Sequence, residues 1–394
     1  MTNRELFYRY MGLPSANPLG IEMVRAEGIY IYDKQGKRYI DLVSGVAVSN
    51  TGHGNKEVTK AVKEQIDKYM HLMVYGEYIQ SPQVQLAKEL TSKLPAKLDS
   101  VYFVNSGSEA IEGALKLAKR HTGRTEIFAF ENAYHGGTHG ALSILGNEKL
   151  KYAFRPLLPG IRFLEFNNFT DINKISDKTA AVVIETIQAE AGIILPEAGF
   201  LEEVRKKCDE TGTLLIIDDI QMGFGRTGKL FSFENFGIVP DILTLAKAMG
   251  GGMPIGAFVA QKDVMTSLTF NPELGHITTF GGHPVSCAAA LANLNFLTKA
   301  NLIEKAEAKG KLFKNALKGN PLIKDIRQIG LMIGLDTESE EIMNRLMSQF
   351  LRNGLITDRF LFRPNAFRIA PPLIISDNEI EITVNLILKS LNNL

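Results

Sequence analysis

Through the middle of the chain, short apolar runs rich in β-branched residues alternate with stretches whose apolar residues recur every three or four positions. SVYFVN (100–105), EIFAF (126–130), AAVVIE (180–185), TLLIID (213–218) and DILTL (241–245) each predict a buried strand. Residues 109–121 carry Ala110, Ala114, Leu117, Ala118 and His121 at helical spacing, and residues 201–211 have the same period and stop at Gly212. Strands apolar on both faces and separated by helices predict an α/β fold, a mostly parallel sheet flanked by helices. The two ends read differently. GIYIYDKQGKRYIDL (28–42) has the pattern of a β-hairpin. From about Ala288 onward helical patterns dominate, in CAAALANLNFL, IEKAEAKGKLFKNAL and EIMNRLMSQFLRNG, before a final FRIAPPLIISDNEIEITVNLILKSL. The expected organisation is a large domain over 53–287, with a smaller α+β domain assembled from 1–52 and 288–394.

Composition narrows the class. A chain of 394 residues is too long for one compact core, and 45 % apolar with 22 % charged residues excludes disorder. Lys and Arg total 44 against 43 Asp and Glu, so no global field recruits nucleic acid or a membrane surface. The first nineteen residues mix Arg4, Glu5, Arg9 and Pro14 and lack the apolar segment of a signal peptide. No apolar stretch reaches membrane-spanning length. Cys208 and Cys287 form neither a CxxC nor a disulfide framework, and the expected location is cytoplasmic. His135 and His139 lack the Glu of an HExxH, so they are read as turn or site-edge histidines and no metal site is expected.

Three stretches carry candidate chemistry. In NSGSEA (105–110) a strand gives way to a helix, whose free N–H groups suit a phosphate; Ser106 with Glu109 equally fits a capping box. In TLLIIDDIQMGFGRTG (213–228) an apolar strand ends in Asp218 and Asp219. That is the edge where open α/β sheets bind ligands, and a carboxylate there can hold a cationic ring nitrogen, or simply cap a helix. Gly223, Gly225 and Gly228 match GxGxxG, but KLFSFENFG after them does not read as the required helix, and Leu230 stands where a phosphate-binding loop needs Ser or Thr. Both nucleotide readings fail. In DILTLAKAMGGGMPIGA (241–257) Lys247 interrupts an apolar strand end before three glycines. Apolar surroundings disfavour its charged form and free the amine for Schiff-base chemistry, although a snorkelling lysine has the same surroundings. A phosphate cup, a ring-nitrogen acid and a buried lysine in this order are the parts that pyridoxal 5'-phosphate (PLP) requires.

With NSGSEA, AYHGG, IETIQAEAG, LLIIDDIQMGFGRTG, PDILTLAKAMGGGMPIGA and TTFGGHPVSCAAA on view, the sequence resembles the class III, acetylornithine- and ornithine-like aminotransferases of PLP fold type I, over nearly its whole length. The resemblance makes the large domain PLP-binding. It implies that Lys247 carries the cofactor as a Schiff base and shuttles the substrate α-proton, and that Asp218 pairs with the pyridinium nitrogen. It implies further that Gln221 reaches the phenolic oxygen, that Ser106, Gly107 and Ser108 hold the phosphate, and that Tyr134 stacks on the ring. Thr279 would reach the phosphate of a neighbouring subunit, so a homodimer with active sites at its interface is implied, and Thr278 would lie beside the substrate. Arg368, in FRIAPPL, matches the arginine that binds the α-carboxylate of glutamate or 2-oxoglutarate. Glu190 matches the glutamate that pairs with this arginine when an ω-amine is bound. Together they imply a ping-pong cycle with 2-oxoglutarate as acceptor and an acetylornithine- or ornithine-like donor.

The sequence departs from the pattern at Gly137, where such enzymes carry an arginine for a substrate carboxylate; Arg359 and Arg363 in TDRFLFRP are the nearby candidates to replace it. Thr186 replaces a proline and Asp219 a glutamate. Rival readings are another class III activity (a 4-aminobutyrate, diamine or β-amino acid aminotransferase, or an aminomutase) and a homologue that binds PLP without catalysis.

Overall fold

The apolar runs become the middle of a seven-stranded sheet in the order Ser100–Val104, Gly256–Ala260, Ile242–Leu245, Leu214–Asp218, Thr179–Glu185, Glu126–Phe130, Ile161–Leu164. The computed structural model describes all residues, 1–394. Five of these strands form a parallel array, Ile242–Leu245 through Ile161–Leu164, whereas Gly256–Ala260 runs antiparallel to both of its neighbours. Every residue of Thr179–Glu185 is buried, because helices cover both faces. On one face, the helix Gly107–Thr122 sets Ala114 and Leu117 against Ile216 and Phe258. On the other, the helix Phe200–Thr211 sets Phe200 and Val204 into a core that continues through Leu294 to Phe350, Phe367 and Ile387 near the C-terminus.

Two smaller sheets are built from the ends. The expected hairpin forms as Tyr30–Asp33 against Arg38–Asp41, with Met23–Glu27 on one side and Leu355–Ile356 on the other, so N- and C-terminal segments share one sheet. The second sheet runs Asp325–Ile329, Met332–Asp336, Arg363–Ile369, Arg359–Phe360. The helix Pro284–Lys299 passes through position 287, where a domain boundary was expected, and packs on the helices Lys56–Lys68 and Ser81–Thr91. We place the boundary there as a proposal. No helix is long and apolar enough to cross a membrane.

Arg226 joins these parts. Its side chain is fully buried and donates to the carbonyls of Leu331 (3.0 Å) and Pro371 (2.6 Å) and to Asn50 Oδ1 (2.5 Å). The Gly223–Gly228 turn, read in sequence as glycine-rich and not nucleotide-binding, is thereby locked to both terminal segments.

Candidate active site

Register at the carboxyl edge of the parallel strands brings the chemistry together. Glu185 lies opposite Asp218, and Asp218 opposite Thr244, so two acids end neighbouring strands. Lys247 follows the third strand and opens a short 3-10 turn, Lys247–Gly250, with its own φ at 46°. A left-handed conformation costs a lysine roughly 1 kcal/mol or more. Here it turns the chain off the sheet edge and lets the side chain line a cavity of about 450 Å³ that is also lined by Asp218, Glu185, Glu190, Gln221, Tyr134 and Ser106–Ser108. Burial lowers the pKa of Lys247, against the pull of Glu190 and Asp218 and with Arg368 adding to the lowering. Its amine is biased toward the neutral, nucleophilic form.

Asp218 is buried and held from two sides. Its Oδ1 accepts from the Ile220 backbone N–H at 3.1 Å, and its Oδ2 from His135 Nδ1 at 2.7 Å. That bond assigns the His135 proton to Nδ1. His135 therefore orients the acid rather than lying at the site edge, where the sequence reading left it. Glu185 was missed altogether. Burial, then the charge of Asp218, raises its carboxyl well above the usual range, and it accepts from the N–H groups of Tyr134 (3.3 Å) and Ala189 (3.4 Å). It thus fixes the backbone of the aromatic residue that lines the cavity. The signal for Glu185 was present: AAVVIE and LLIID end in acids, and parallel pairing sets such ends side by side.

At the start of the helix Gly107–Thr122 the Ser106 half of the expected capping box forms, while its Glu109 half reaches one residue further back. Ser106 Oγ accepts from the Glu109 N–H at 3.2 Å, while the Glu109 carboxylate turns to the backbone and side-chain amides of Asn105. The N–H groups of Gly107 and Ser108 have no acceptor within the chain. Ser108 Oγ accepts from the Gly137 N–H at 3.2 Å. Gly136 closes the cup at φ 130°, where a Cβ would stand 2.2 Å from Ser108 Oγ. Gly137 itself is exposed, and a Cβ there would meet nothing within 4 Å.

At the opposite wall, Glu190 Oε1 and Oε2 both lie 3.0 Å from Arg368 Nη2, and Glu190 also accepts from Gln221 Nε2 (3.3 Å) and the Leu361 N–H (3.1 Å). Arg368 is buried behind Glu190, with Nη1 unpartnered. A third residue, Asp358, approaches from the Nε side, Oδ1 to Nε 2.5 Å. Neither candidate for the missing arginine points into this cavity: Arg363 clasps Asp336 at 2.5–3.0 Å, and Arg359 bonds Glu340 (3.2 Å) and Asn344 (2.7 Å). Both are held by carboxylates or amides of their own lobe.

The remaining two expected residues lie elsewhere in the single chain. Thr278 Oγ1 accepts from Asn105 Nδ2 at 2.9 Å and lines a separate cleft with Tyr75, Phe103 and Gly281, and Thr279 is exposed.

The residues present fit PLP. Two unpaired N–H groups at a helix N-terminus suit a phosphate, a buried and oriented carboxylate suits a ring nitrogen, and an amine of lowered pKa lies in the same cavity. Gln221 Oε1 is buried without a partner, which leaves this side chain polar capacity for a ligand atom.

Comparison with known proteins identifies the family and the fold. The family model for aminotransferase class-III matches residues 11–391. The chain is 39 % identical over 384 residues to the acetylornithine aminotransferase of Methanopyrus kandleri, covering 97 % of this chain and 96 % of that one. Among solved structures, a transaminase from the marine bacterium Virgibacillus superposes with a TM-score of 0.94 at 25 % identity, covering 99 % of this chain and 98 % of that one. The ornithine aminotransferase of Toxoplasma gondii, crystallised with partial occupancy of PLP at its active site, gives 0.92 at 27 % identity, with 99 % and 93 % covered. The chain belongs to the class III aminotransferases, enzymes that depend on pyridoxal 5'-phosphate.

Proposed function

We propose that this enzyme moves an amino group from an ω-amine or amino acid donor to 2-oxoglutarate in a ping-pong cycle, as a cytoplasmic homodimer. The observation that carries the proposal is the Glu190–Arg368 pair at the wall of the cavity that also holds Lys247. Paired, it offers no seat for a carboxylate, which suits an amine-bearing end; with Glu190 displaced, Arg368 offers the second substrate a planar cationic fork. One site thus admits two unlike substrates in turn.

Bound PLP supplies an aldehyde that condenses with amines and a ring that takes up the electron pair of a broken Cα–H bond. Ser106, Gly107 and Ser108 would hold its phosphate, Tyr134 its ring face, Asp218 its ring nitrogen and Gln221 its phenolic oxygen. Lys247 would hold the cofactor and, once an incoming amine has released it, its amine, biased toward the neutral form by burial, would take the proton from the amine-bearing carbon of the substrate and deliver it to the cofactor. Asp218 stays in place because His135 and the Ile220 N–H hold both of its oxygens.

The exposed position of Thr279 supports its reaching the phosphate in the partner subunit, with Thr278 beside the partner's substrate. Exposed apolar side chains close to it in the chain, Leu274, Ile277 and Phe280, give the dimer a surface to bury. The first choice of donor is acetylornithine- or ornithine-like. Gly137 favours a second reading, a diamine or other ω-amine that needs no arginine there. The test is a panel of acetylornithine, ornithine, 4-aminobutyrate and diamines, following conversion of PLP to its pyridoxamine form and regeneration by 2-oxoglutarate. Failure of every amine donor to convert the cofactor would overturn the proposal.

A further inference from the structure

We propose that Asp358 is a positioning residue for the acceptor half of the cycle: it keeps the Arg368 guanidinium paired and in place while Glu190 moves aside for a dicarboxylate. The inference rests on the reading of Arg368 as the carboxylate anchor.

Arg368 is almost wholly buried, and its polar contacts are few. Glu190 takes Nη2 twice at 3.0 Å, the Arg359 carbonyl lies 3.5 Å from Nη2, and Asp358 Oδ1 lies 2.5 Å from Nε. The Asp358 approach is off the N–H axis, so it is a charge contact rather than a directed hydrogen bond. When Glu190 withdraws, Asp358 is the carboxylate that remains against the guanidinium. Leaving a buried arginine without a counter-charge is strongly unfavourable, so a second carboxylate gives Glu190 freedom to move. The backbone is built around the same pair: the Asp358 carbonyl accepts from the Arg368 N–H (3.2 Å), and Thr357 Oγ1 donates to the Arg368 carbonyl (2.5 Å). The Phe360 ring lies 4.8 Å from Cζ. Nη1 has no partner in the chain, which leaves the guanidinium a donor for a substrate carboxylate after Asp358 has taken the Nε side. Asp358 has 40 % of its side chain exposed, but burial still pushes its carboxyl up to about 6, against the pull of Arg368, so it faces Arg368 as a carboxylate at neutral pH.

The test uses the holoenzyme and glutarate, a dicarboxylate with no keto group to react, titrated by calorimetry. Asp358→Ala is expected to raise the Kd for glutarate about tenfold or more, as loss of one charge contact to a buried group does. Asp358→Asn keeps the shape but not the charge and is expected to weaken binding by about the same factor, whereas Asp358→Glu, which keeps a carboxylate, is expected to recover most of the loss. In turnover the same loss appears in the KM for 2-oxoglutarate, with kcat moving less. Should Asp358→Ala fold poorly, Asp358→Ser keeps a polar side chain and carries the same expectation. Glutarate binding by Asp358→Ala that equals or exceeds the wild type would overturn the inference. Arg368→Met separates the two claims. If Arg368→Met binds glutarate as the wild type does, Arg368 is not the anchor and the proposed function loses its support. If Arg368→Met weakens binding and Asp358→Ala does not, only the role of Asp358 falls.

Discussion

Replacing His135 by Ala tests whether the acid beneath the cofactor is held as the geometry requires. In the native site a side chain with no exposure donates Nδ1–H to Asp218 Oδ2 at 2.7 Å, and Asp218 is 5 % exposed. A hydrogen bond to a buried charged acceptor contributes about 1.5–3 kcal/mol, and each 1.4 kcal/mol is tenfold in affinity. In His135→Ala, Asp218 keeps only the Ile220 N–H at 3.1 Å and has the acidic neighbour Glu185 across the strand pair. Its carboxylate loses orientation as well as a donor. The apoenzyme variant is therefore expected to bind PLP roughly 10- to 100-fold more weakly in an absorbance or fluorescence titration. His135→Asn, whose amide nitrogen stands close to the place of Nδ1, is expected to recover most of that loss. Affinity for PLP within about twofold of the wild type in His135→Ala would refute the reasoning, since the bond would then contribute well under the about 1.5 kcal/mol assigned to it.

Other perturbations read other parts of the account. Arg226→Met strands two carbonyls and Asn50 Oδ1 in a buried site, and at about 1–3 kcal/mol for each stranded group, offset by the relief of burying a charge, a net loss of about 3–6 kcal/mol is expected in chemical denaturation; an unchanged midpoint would contradict it. Gly136→Ala places a Cβ 2.2 Å from Ser108 Oγ and is expected to weaken binding of PLP far more than that of pyridoxal without the phosphate. Equal losses for both would remove the cup from the phosphate. Asp219 is buried, with its carboxyl pushed up to about 8 by burial, so the folded state keeps a proton that the unfolded chain sheds near pH 4. Wild-type stability is then expected to fall as pH rises from about 4 to about 8, and Asp219→Asn to flatten that part of the profile. A wild-type melting temperature that rises across this window would show the opposite sign.

What the sequence made legible follows from where side chains go. AAVVIE and LLIID are buried on both faces, so their composition announced strands and parallel packing directly. Gly256–Ala260 was hidden, because the glycines before it read as a loop around Lys247, and GAFVA is too short to declare its antiparallel direction. Ile161–Leu164 is an edge strand carrying exposed Arg162, and so lacks the apolar signature. Lys247, Asp218 and the Ser106–Ser108 cup were legible because each sits next to a strand end in sequence. His135 acts through a residue far away in the chain, and no local pattern reports a contact between positions 135 and 218; Asp358 meets Arg368 only because Arg359–Phe360 folds back on Arg363–Ile369. Arg359 and Arg363 show the reverse: near the site in sequence, they are claimed by Glu340, Asn344 and Asp336 once the lobe folds. The roles proposed for Thr278 and Thr279 depend on a second subunit, which no pattern within one chain reports.

The central claim is that Lys247 is the amine that carries the cofactor. Reducing the PLP-loaded enzyme with borohydride, digesting it and mapping the pyridoxyl mass tests this directly. The modification is expected on the peptide containing Lys247, and Lys247→Ala is expected to take up none at that position. A pyridoxyl group on another lysine, or a wild-type enzyme left unmodified, would contradict it.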